Sequence, residues 1–155
     1  RMSVTERKLL KKMEKALLST GKNDWETPQD LFDELDKEFH FTLDACADDQ
    51  NHKCSRYYTQ EQDGLTKDWN GETVFCNPPY SNKLQNAWVK KCYEESRHAV
   101  VVMLLPARTD TLRFHEYILP HAEIRFLKGR LTFQGAKDTA PFPSMVVVFQ
   151  PKEGK

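Results

Sequence analysis

Four consecutive residues, Asn77-Pro78-Pro79-Tyr80, combine groups that can hold a planar amine. The side-chain oxygen of Asn77 and the backbone carbonyl of Pro78 are hydrogen-bond acceptors, and Pro79 restricts the backbone angles of Pro78. The ring of Tyr80 offers a surface on which an aromatic base can stack. The alternative is a proline-rich turn without a chemical role, because two prolines interrupt both helices and sheets.

These groups suit methyl transfer to the exocyclic amine of adenine. The lone pair of that amine is delocalised into the ring, and two acceptors on its N–H groups favour the tetrahedral geometry needed for attack and stabilise the developing positive charge. A base inside a duplex is out of reach, so it must be flipped out and held by stacking and edge hydrogen bonds. Because the methyl donor is a sulfonium cation, positioning replaces a metal or a strong general base. We therefore expect no metal site.

Several short stretches, taken in order, resemble motifs of the small phage-type DNA N-6-adenine methyltransferase family. They run from about residue 25 to residue 149: Trp25-Glu-Thr-Pro28, Leu43-Asp-Ala-Cys-Ala47, Asp63-Gly-Leu65 with Trp69, Asn77-Pro-Pro-Tyr80, Gly129-Arg-Leu-Thr-Phe133 and Ser144-Met-Val-Val-Val-Phe149. The resemblance implies an enzyme that methylates the N6 amine of adenine in DNA and takes S-adenosylmethionine as its donor. It also implies a phage or prophage protein acting in the cytoplasm of a bacterial host.

The resemblance assigns the catalytic role to Asn77, Pro78, Pro79 and Tyr80. It assigns three further groups to the donor: a strand end rich in small residues, a helix start that closes over the methionine end, and a turn that meets the adenine. With Asn77, the cofactor-binding residues are Trp25, Thr27, Pro28, Asp44, Ala45, Cys46, Ala47, Asp63 and Leu65. Either Asp48 or Asp49 is a candidate for the donor ribose.

Each donor motif also has a purely structural interpretation. Asp44 can cap an ordinary buried strand. Thr27 is a good N-cap, and Pro28 is tolerated at the first position of a helix. Asp63 followed by glycine is a common turn pair.

The net charge gives no sign of a nucleic-acid partner, because 23 basic residues balance 23 acidic ones. Contacts with DNA must therefore come from local patches. The loops around the expected catalytic face supply candidates for these contacts. The alternative for each candidate is a solvated surface residue without a role in binding. These DNA-binding candidates are Ser81, Lys83, Arg108, Arg113 and Arg130.

The charge is unevenly distributed. Residues 1–22 hold seven basic and two acidic side chains, a net charge of +5, so the remaining residues carry −5. We interpret 1–22 as a basic N-terminal arm, helical over 4–18, and 23–155 as the catalytic domain. The arm either packs on the domain as a solvated amphipathic helix or touches phosphates or a partner subunit, which leaves a homodimer through this helix open.

Alternating helices and strands predict an α/β fold, a trimmed Rossmann-like class I methyltransferase with a mostly parallel sheet and an antiparallel edge strand. Strands are expected over residues 41–46, 73–76, 98–105, 123–127, 131–133 and 145–149, with a short one at Tyr57-Tyr58. Helices are expected from Thr27-Pro28 to Phe39, over 83–95 after an Asn82 cap, and over 110–119. Only about thirty residues separate Asp44 from Asn77, so the strands between them must be short.

Three observations limit the rival functions. No two of the four cysteines are spaced C-x-x-C, so reduced thiols are expected, and Cys46, His52 and Cys54 lack an evident fourth zinc ligand. The longest apolar stretch, residues 99–105, is too short to cross a membrane. The remaining alternatives are an amino-methyltransferase acting on RNA, cytosine N4 or protein glutamine, and a catalytically silent nucleic-acid-binding domain.

Overall fold

The computed structural model describes residues 3–11 and 25–152, and a five-stranded sheet lies in the second range. The strands lie in the order β1-β2-β3-β5-β4. Their bounds are Leu43–Asp44 (β1), Thr73–Cys76 (β2), Val100–Pro106 (β3), Glu123–Phe126 (β4) and Ser144–Phe149 (β5). The predicted α/β class is confirmed, and β2 has the bounds expected from the sequence.

The first three strands run parallel. Asp44 lies opposite Phe75, and Cys76 lies opposite Met103. Their carboxyl ends therefore share one edge of the sheet, where open α/β sheets bind ligands. Asp44 and the Asn77–Tyr80 turn both lie at this edge.

The antiparallel strand is not at the edge of the sheet, so that prediction was wrong. β5 runs antiparallel to both β3 and β4 and lies between them. All six residues of β5 are buried, whereas Glu123 and Phe126 of β4 are exposed. A strand that is apolar on both faces needs a neighbour on each side, and the more polar β4 tolerates the edge.

Helices cover both faces of the sheet. They are α1 (Gln29–Phe39), α2 (Asn82–Glu95), a π-helical turn over Phe114–Ile118 and a last turn α3 over Leu119–His121. Side chains of β3 alternate between the faces: Val101 and Met103 pack with Trp88 of α2, and Val102 packs with Phe32 of α1. The sheet is thus a central layer that holds the strand ends fixed.

Both predicted helix caps were wrong. The N-cap of α1 is Pro28, without a side-chain hydrogen bond, and the hydroxyl of Thr27 accepts from a distant residue instead. The cap of α2 is Ser81, whose hydroxyl accepts from the backbone N–H of Leu84, while Asn82 is already helical. In both places the predicted cap lies within one residue of the observed cap. The hydroxyl of Thr27 is engaged in a tertiary contact, and at α2 the neighbouring hydroxyl of Ser81 forms the cap.

The chain between β1 and β2 is trimmed further than expected. In this stretch, which the structure describes in full, pairing with the sheet reduces to one isolated parallel bridge between Asp44 and Tyr57. One short 3₁₀ turn, Gly64–Thr66, follows. The remainder folds back over the end of β1.

The predicted strand over residues 131–133 was also wrong. The segment is irregular, with one isolated bridge between Gln134 and Glu26. Gly129 and Gly135 both adopt positive φ, at 73° and 85°, which turns the chain out of an extended course at each end. Phe133 is nonetheless buried.

Residues 4–11 are helical and exposed, with Ser3 and Glu6 exchanging capping hydrogen bonds. The rest of the predicted 4–18 helix lies outside the described residues. No helix within 3–11 and 25–152 has the length and hydropathy needed to cross a bilayer.

Candidate active site

A narrow crevice lies where β1 and β2 end, and it brings together three of the predicted motifs. Its walls include Trp25, Thr27, Asp44, Cys46 and Asn77. Its volume is only about 20 Å³, well below the roughly 300–1,000 Å³ of typical small-molecule pockets. We call it the strand-end crevice.

The side chain of Asn77 is held by its nitrogen. Nδ2 donates to the backbone carbonyl of Trp25 at 2.8 Å and to the hydroxyl of Thr27 at 2.9 Å. Because a carbonyl can only accept, the amide is fixed with its nitrogen toward Trp25. The oxygen, Oδ1, is buried and makes no hydrogen bond in the described structure. Burying an acceptor without a partner is costly, so this atom is suited to receive a donor from a ligand.

Beside the crevice, Tyr80 belongs to an aromatic cluster. Its ring stacks on Trp25, with centroids 5.9 Å apart and planes within 10°, and it packs edge-on against Phe133. Phe142 contacts the same ring at 5.4 Å. Burial raises the pKa of Tyr80 above its ordinary value, so its hydroxyl stays protonated, and this buried hydroxyl has no hydrogen-bond partner within residues 3–11 and 25–152.

A second, larger opening lies on the Tyr80 side of the turn. Its volume is about 410 Å³, and its walls include Trp25, Tyr80, Gln85, Arg108 and Phe142. We call it the aromatic cleft. Trp25 lines both openings, so the Asn77–Tyr80 turn separates a crevice at the end of β1 from a cleft with the dimensions of a small-molecule site.

Gln85 is a site residue that the sequence reasoning missed. Its side chain is 1% exposed, and Nε2 donates to the backbone carbonyl of Pro79 at 2.9 Å. Its other end, Oε1, is buried at the aromatic cleft and has no hydrogen-bond partner among the residues that the structure describes. The sequence gives no sign of this contact, because Gln85 looks like an ordinary polar residue of a helix and its partner lies in the preceding turn.

Both side-chain oxygens of Asp44 accept hydrogen bonds, unlike Oδ1 of Asn77. Its carboxylate is 4% exposed, and Oδ2 accepts from the backbone N–H of Lys53 at 2.9 Å. Oδ1 accepts from the N–H of Cys46 at 3.4 Å. The carboxylate therefore organises the loop that follows β1, as well as lining the crevice.

Ala45, Cys46 and Ala47 continue the turn after β1. The N–H of Ala45 donates to Phe75, and that of Ala47 donates to Tyr58. Ala45 and Ala47 are buried, and Cys46 is half-buried in the crevice wall. Small residues here let neighbouring backbone approach closely.

Gly64 makes the closest of those approaches. A Cβ at this position would lie 2.3 Å from the carbonyl oxygen of Ala45, and the indole N–H of Trp69 donates to the Gly64 carbonyl at 3.1 Å. This packing places Asp63 and Leu65 beside the end of β1. Asp63 Oδ1 accepts from the N–H of Leu65 at 3.1 Å, so the pair also forms its own turn.

The two candidates for the ribose are engaged elsewhere. Asp48 accepts from the backbone N–H groups of Gln50 and Asn51, and Asp49 accepts from the hydroxyl of Tyr57. Both acids therefore shape the loop that contains them.

Lys53 is a second residue missed from the sequence. Its ammonium donates to Gln29 of α1 at 2.9 Å and to Gln134 at 3.3 Å. It thus joins three separate parts of the chain across the strand-end crevice. Its position in a polar loop of the sequence gives no indication of these contacts.

Nearby, the Cys54 thiol is half-buried. Burial, together with the charges of Asp44 and Asp36, raises its pKa to about 12. Among the described residues, no group of three histidine, cysteine or acidic side chains is arranged to hold a metal ion. Within the part of the chain that the structure describes, neither Cys46 nor Cys54 forms a disulfide.

The DNA-binding candidates fall into two groups. Arg108 and Arg113 line the aromatic cleft, with the guanidinium of Arg108 5.5 Å from the ring of Phe142. Ser81 caps α2, while Lys83 and Arg130 are exposed. The structure thus brings two of the five basic or polar candidates to the cleft.

The chain matches one family model and two phage proteins that carry the same family name. The family model described as DNA N-6-adenine-methyltransferase (Dam) matches residues 14–154, a wider range than the motifs span. A DNA N-6-adenine-methyltransferase of Haemophilus phage HP1 is 34% identical over 147 residues, 86% of this chain and 84% of the relative. A protein of the same name from Escherichia phage T1 is 35% identical over 111 residues, 70% of this chain and 46% of the relative.

Proposed function

This chain belongs to the DNA N-6-adenine-methyltransferase family, and we propose that it transfers a methyl group from S-adenosylmethionine to a flipped-out adenine, with Asn77 and Pro78 gripping the amine. As a family member it is an adenine-specific DNA methyltransferase. The single observation that carries the mechanism is the buried, unpartnered Oδ1 of Asn77 at the end of β2. We also infer a reduced Rossmann-like class I methyltransferase fold, which is supported by the three parallel strands β1, β2 and β3 of the trimmed mixed sheet.

The N6 amine has two N–H groups, and the turn offers two acceptors. Asn77 Oδ1 receives one, because Trp25 and Thr27 already hold the amide nitrogen. The backbone carbonyl of Pro78 receives the other, and the carbonyl of Pro79 is already taken by Gln85. Two fixed acceptors draw the amine toward tetrahedral geometry and stabilise the positive charge that forms as its nitrogen bonds to the methyl carbon. The carbon–sulfur bond that breaks would leave the donor as a neutral thioether. The proton then leaves the cationic amine product to solvent.

The base enters from the aromatic cleft. Tyr80 and Phe142 supply apolar surface for the ring, and the cleft volume of about 410 Å³ accommodates a nucleobase. Flipping costs a few kcal/mol of unpairing and unstacking, which stacking on aromatic side chains offsets. DNA is therefore the proposed partner.

The donor fits the chemistry of the strand-end crevice. S-adenosylmethionine supplies an electrophilic methyl group on a sulfonium, so no proton needs to be removed before attack. Asp44 provides an acidic group for the donor's ammonium, and the Asp63–Leu65 turn lies beside β1 for its adenine. Since the crevice is narrow, we propose that the contacts of Lys53 with Gln29 and Gln134 open to admit the donor.

The test is to treat unmethylated DNA with the protein and S-adenosylmethionine, digest it to nucleosides and identify the products by mass spectrometry. We expect N6-methyl-2′-deoxyadenosine from the wild-type chain and far less of it from Asn77→Ala over the same reaction time. RNA and protein acceptors are offered in parallel. Methylation of cytosine, RNA or protein without methylation of deoxyadenosine would overturn the proposal.

A further inference from the structure

Arg113 is a buried cation with neutral partners. It is 7% exposed, and Nη1 donates to the side-chain oxygens of Asn82 at 2.6 Å and Asn86 at 2.9 Å. No carboxylate within residues 3–11 and 25–152 forms an ion pair with it. Nε and Nη2 make no hydrogen bond in the same ranges, so one side of the guanidinium fork is open to an anion.

The electrostatics of this position favour an anion. Burial and the charge of Arg108 both lower the pKa of Arg113, and Asp110 only partly offsets them. A guanidinium remains charged at neutral pH, so burying it without an acid costs free energy unless an anion arrives. Asn82 and Asn86 fix the orientation of the group without neutralising it.

The surroundings indicate which anion fits. Arg113 and Arg108 line the aromatic cleft together with Tyr80 and Gln85, whose Oη and Oε1 atoms are buried and unpartnered. An aromatic wall suits a base, unpartnered polar atoms suit its edge, and two cations suit a phosphate. A flipped nucleotide brings all three parts into one opening.

We propose that Arg113, assisted by Arg108, binds a phosphate adjacent to the flipped adenosine in the aromatic cleft. The inference rests on the proposed function and adds a subsite to it. Arg113 is then a positioning residue: it fixes the backbone of the target nucleotide, while Asn77 and Pro78 hold the amine.

The experiment replaces single phosphates by neutral methylphosphonates. The methylated adenine is first located in a duplex treated with wild-type protein, and each phosphate flanking it is substituted in turn. At one of the two positions we expect kcat/KM of the wild-type chain to fall about tenfold, an order typical of one lost charge-assisted contact. If neither substitution lowers kcat/KM, the subsite does not exist.

Arg113→Gln is then compared with Arg97→Gln on the same duplexes. Arg97 is exposed and precedes β3 at the opposite end of the sheet, so its substitution makes the same change in net charge away from the cleft. We expect kcat/KM of Arg113→Gln to be about tenfold below that of the wild type on normal DNA. On the duplex with the sensitive methylphosphonate, its kcat/KM should fall no further. Arg97→Gln should keep the full methylphosphonate effect.

If Arg113→Gln does not fold, Arg113→Lys replaces it in the comparison, because lysine keeps the positive charge. In this variant the methylphosphonate should still lower kcat/KM, but by less than in the wild type. Equal methylphosphonate effects in the Arg97 and Arg113 variants would overturn the inference while leaving the methyltransferase activity established. Absence of any methylated adenine with wild-type protein would instead refute the proposed function.

Discussion

Two polar residues at neighbouring strand ends, Asn77 after β2 and Asp44 in β1, are used in opposite ways. Asn77 is tied through its nitrogen to Trp25 and Thr27, and its oxygen is buried without a partner. Both carboxylate oxygens of Asp44 accept hydrogen bonds from the loop that follows it. The fold thus keeps one acceptor available at β2 and commits the other to shaping the crevice.

The comparison distinguishes a residue proposed for the chemistry from a residue that supports the structure, although both lie at the carboxyl ends of neighbouring strands. Strand direction alone places both residues at the carboxyl edge, so both are equally good site candidates by topology. Their hydrogen-bond partners distinguish them: Asn77 keeps one buried oxygen without a partner among the described residues, whereas both oxygens of Asp44 accept from its own loop. Substitutions at the two positions should therefore differ in kind.

The largest effect is expected for Asn77→Ala. Removing a preorganised group that acts on the developing charge typically lowers kcat by about 10²–10³. The thermal midpoint should change little, because the Trp25 carbonyl and the Thr27 hydroxyl that the amide contacts also line the strand-end crevice, where water can replace the amide. The measurement is single-turnover transfer of labelled methyl groups, and wild-type rates in this variant would remove Asn77 from the mechanism.

Asp44→Ala should act mainly on stability and donor binding. Two backbone N–H groups, of Lys53 and Cys46, lose a charged acceptor in a buried position, so the free energy of unfolding should fall by about 2 kcal/mol. The donor should also bind more weakly. Urea denaturation and calorimetry measure the two effects. Unchanged stability with weaker donor binding would show that Asp44 serves the ligand alone, and the contrast with Asn77 would then disappear.

Gly64→Ala tests how the Asp63–Leu65 turn is held beside β1. The new Cβ would meet the carbonyl of Ala45 at 2.3 Å, and backbone on both sides must move, so we expect a loss of about 1–3 kcal/mol. Gly129→Ala is the comparison: its Cβ meets open space, and only the positive φ, costing about 1 kcal/mol, is unfavourable. If the two variants were equally stable, close packing at Gly64 would not matter.

The smallest effect is expected far from the site, at the pair between Glu38 of α1 and Arg125 of β4. The hydrogen bond from Arg125 holds the pKa of Glu38 below its ordinary value. The contribution to stability is therefore complete above the ordinary pKa of glutamate and is lost as pH falls through the lowered value. The thermal midpoint of Glu38→Gln should approach that of wild type as pH decreases; a difference independent of pH would contradict this.

The sequence predicted the position of the Asn77–Tyr80 turn because its signals are local. An apolar run ended by Asn77-Pro78 defines both the end of β2 and the start of the turn. The same local reasoning was wrong for Thr27, since its hydroxyl is taken by a residue 50 positions away. The assignment of individual donor and DNA contacts stays a prediction.

Long-range packing explains the other failures. Gln85 and Lys53 act through Pro79, Gln29 and Gln134, contacts that no periodicity indicates. The interior position of β5 depends on which strand tolerates solvent at the edge, and this becomes clear only when β4 is seen beside it. A strand pattern alone could not order the two.

The central claim is that Trp25 and Thr27 fix the Asn77 amide so that its oxygen faces the adenine amine. The direct measurement is a double-mutant cycle of Thr27→Val and Asn77→Ala, read by single-turnover methyl transfer to adenine. We expect Thr27→Val to slow transfer about tenfold in the wild-type background, because one buried N–H of the amide loses its acceptor. In the Asn77→Ala background it should have no further effect. An equal slowing in both backgrounds would show that Thr27 acts independently of Asn77 and would contradict the account.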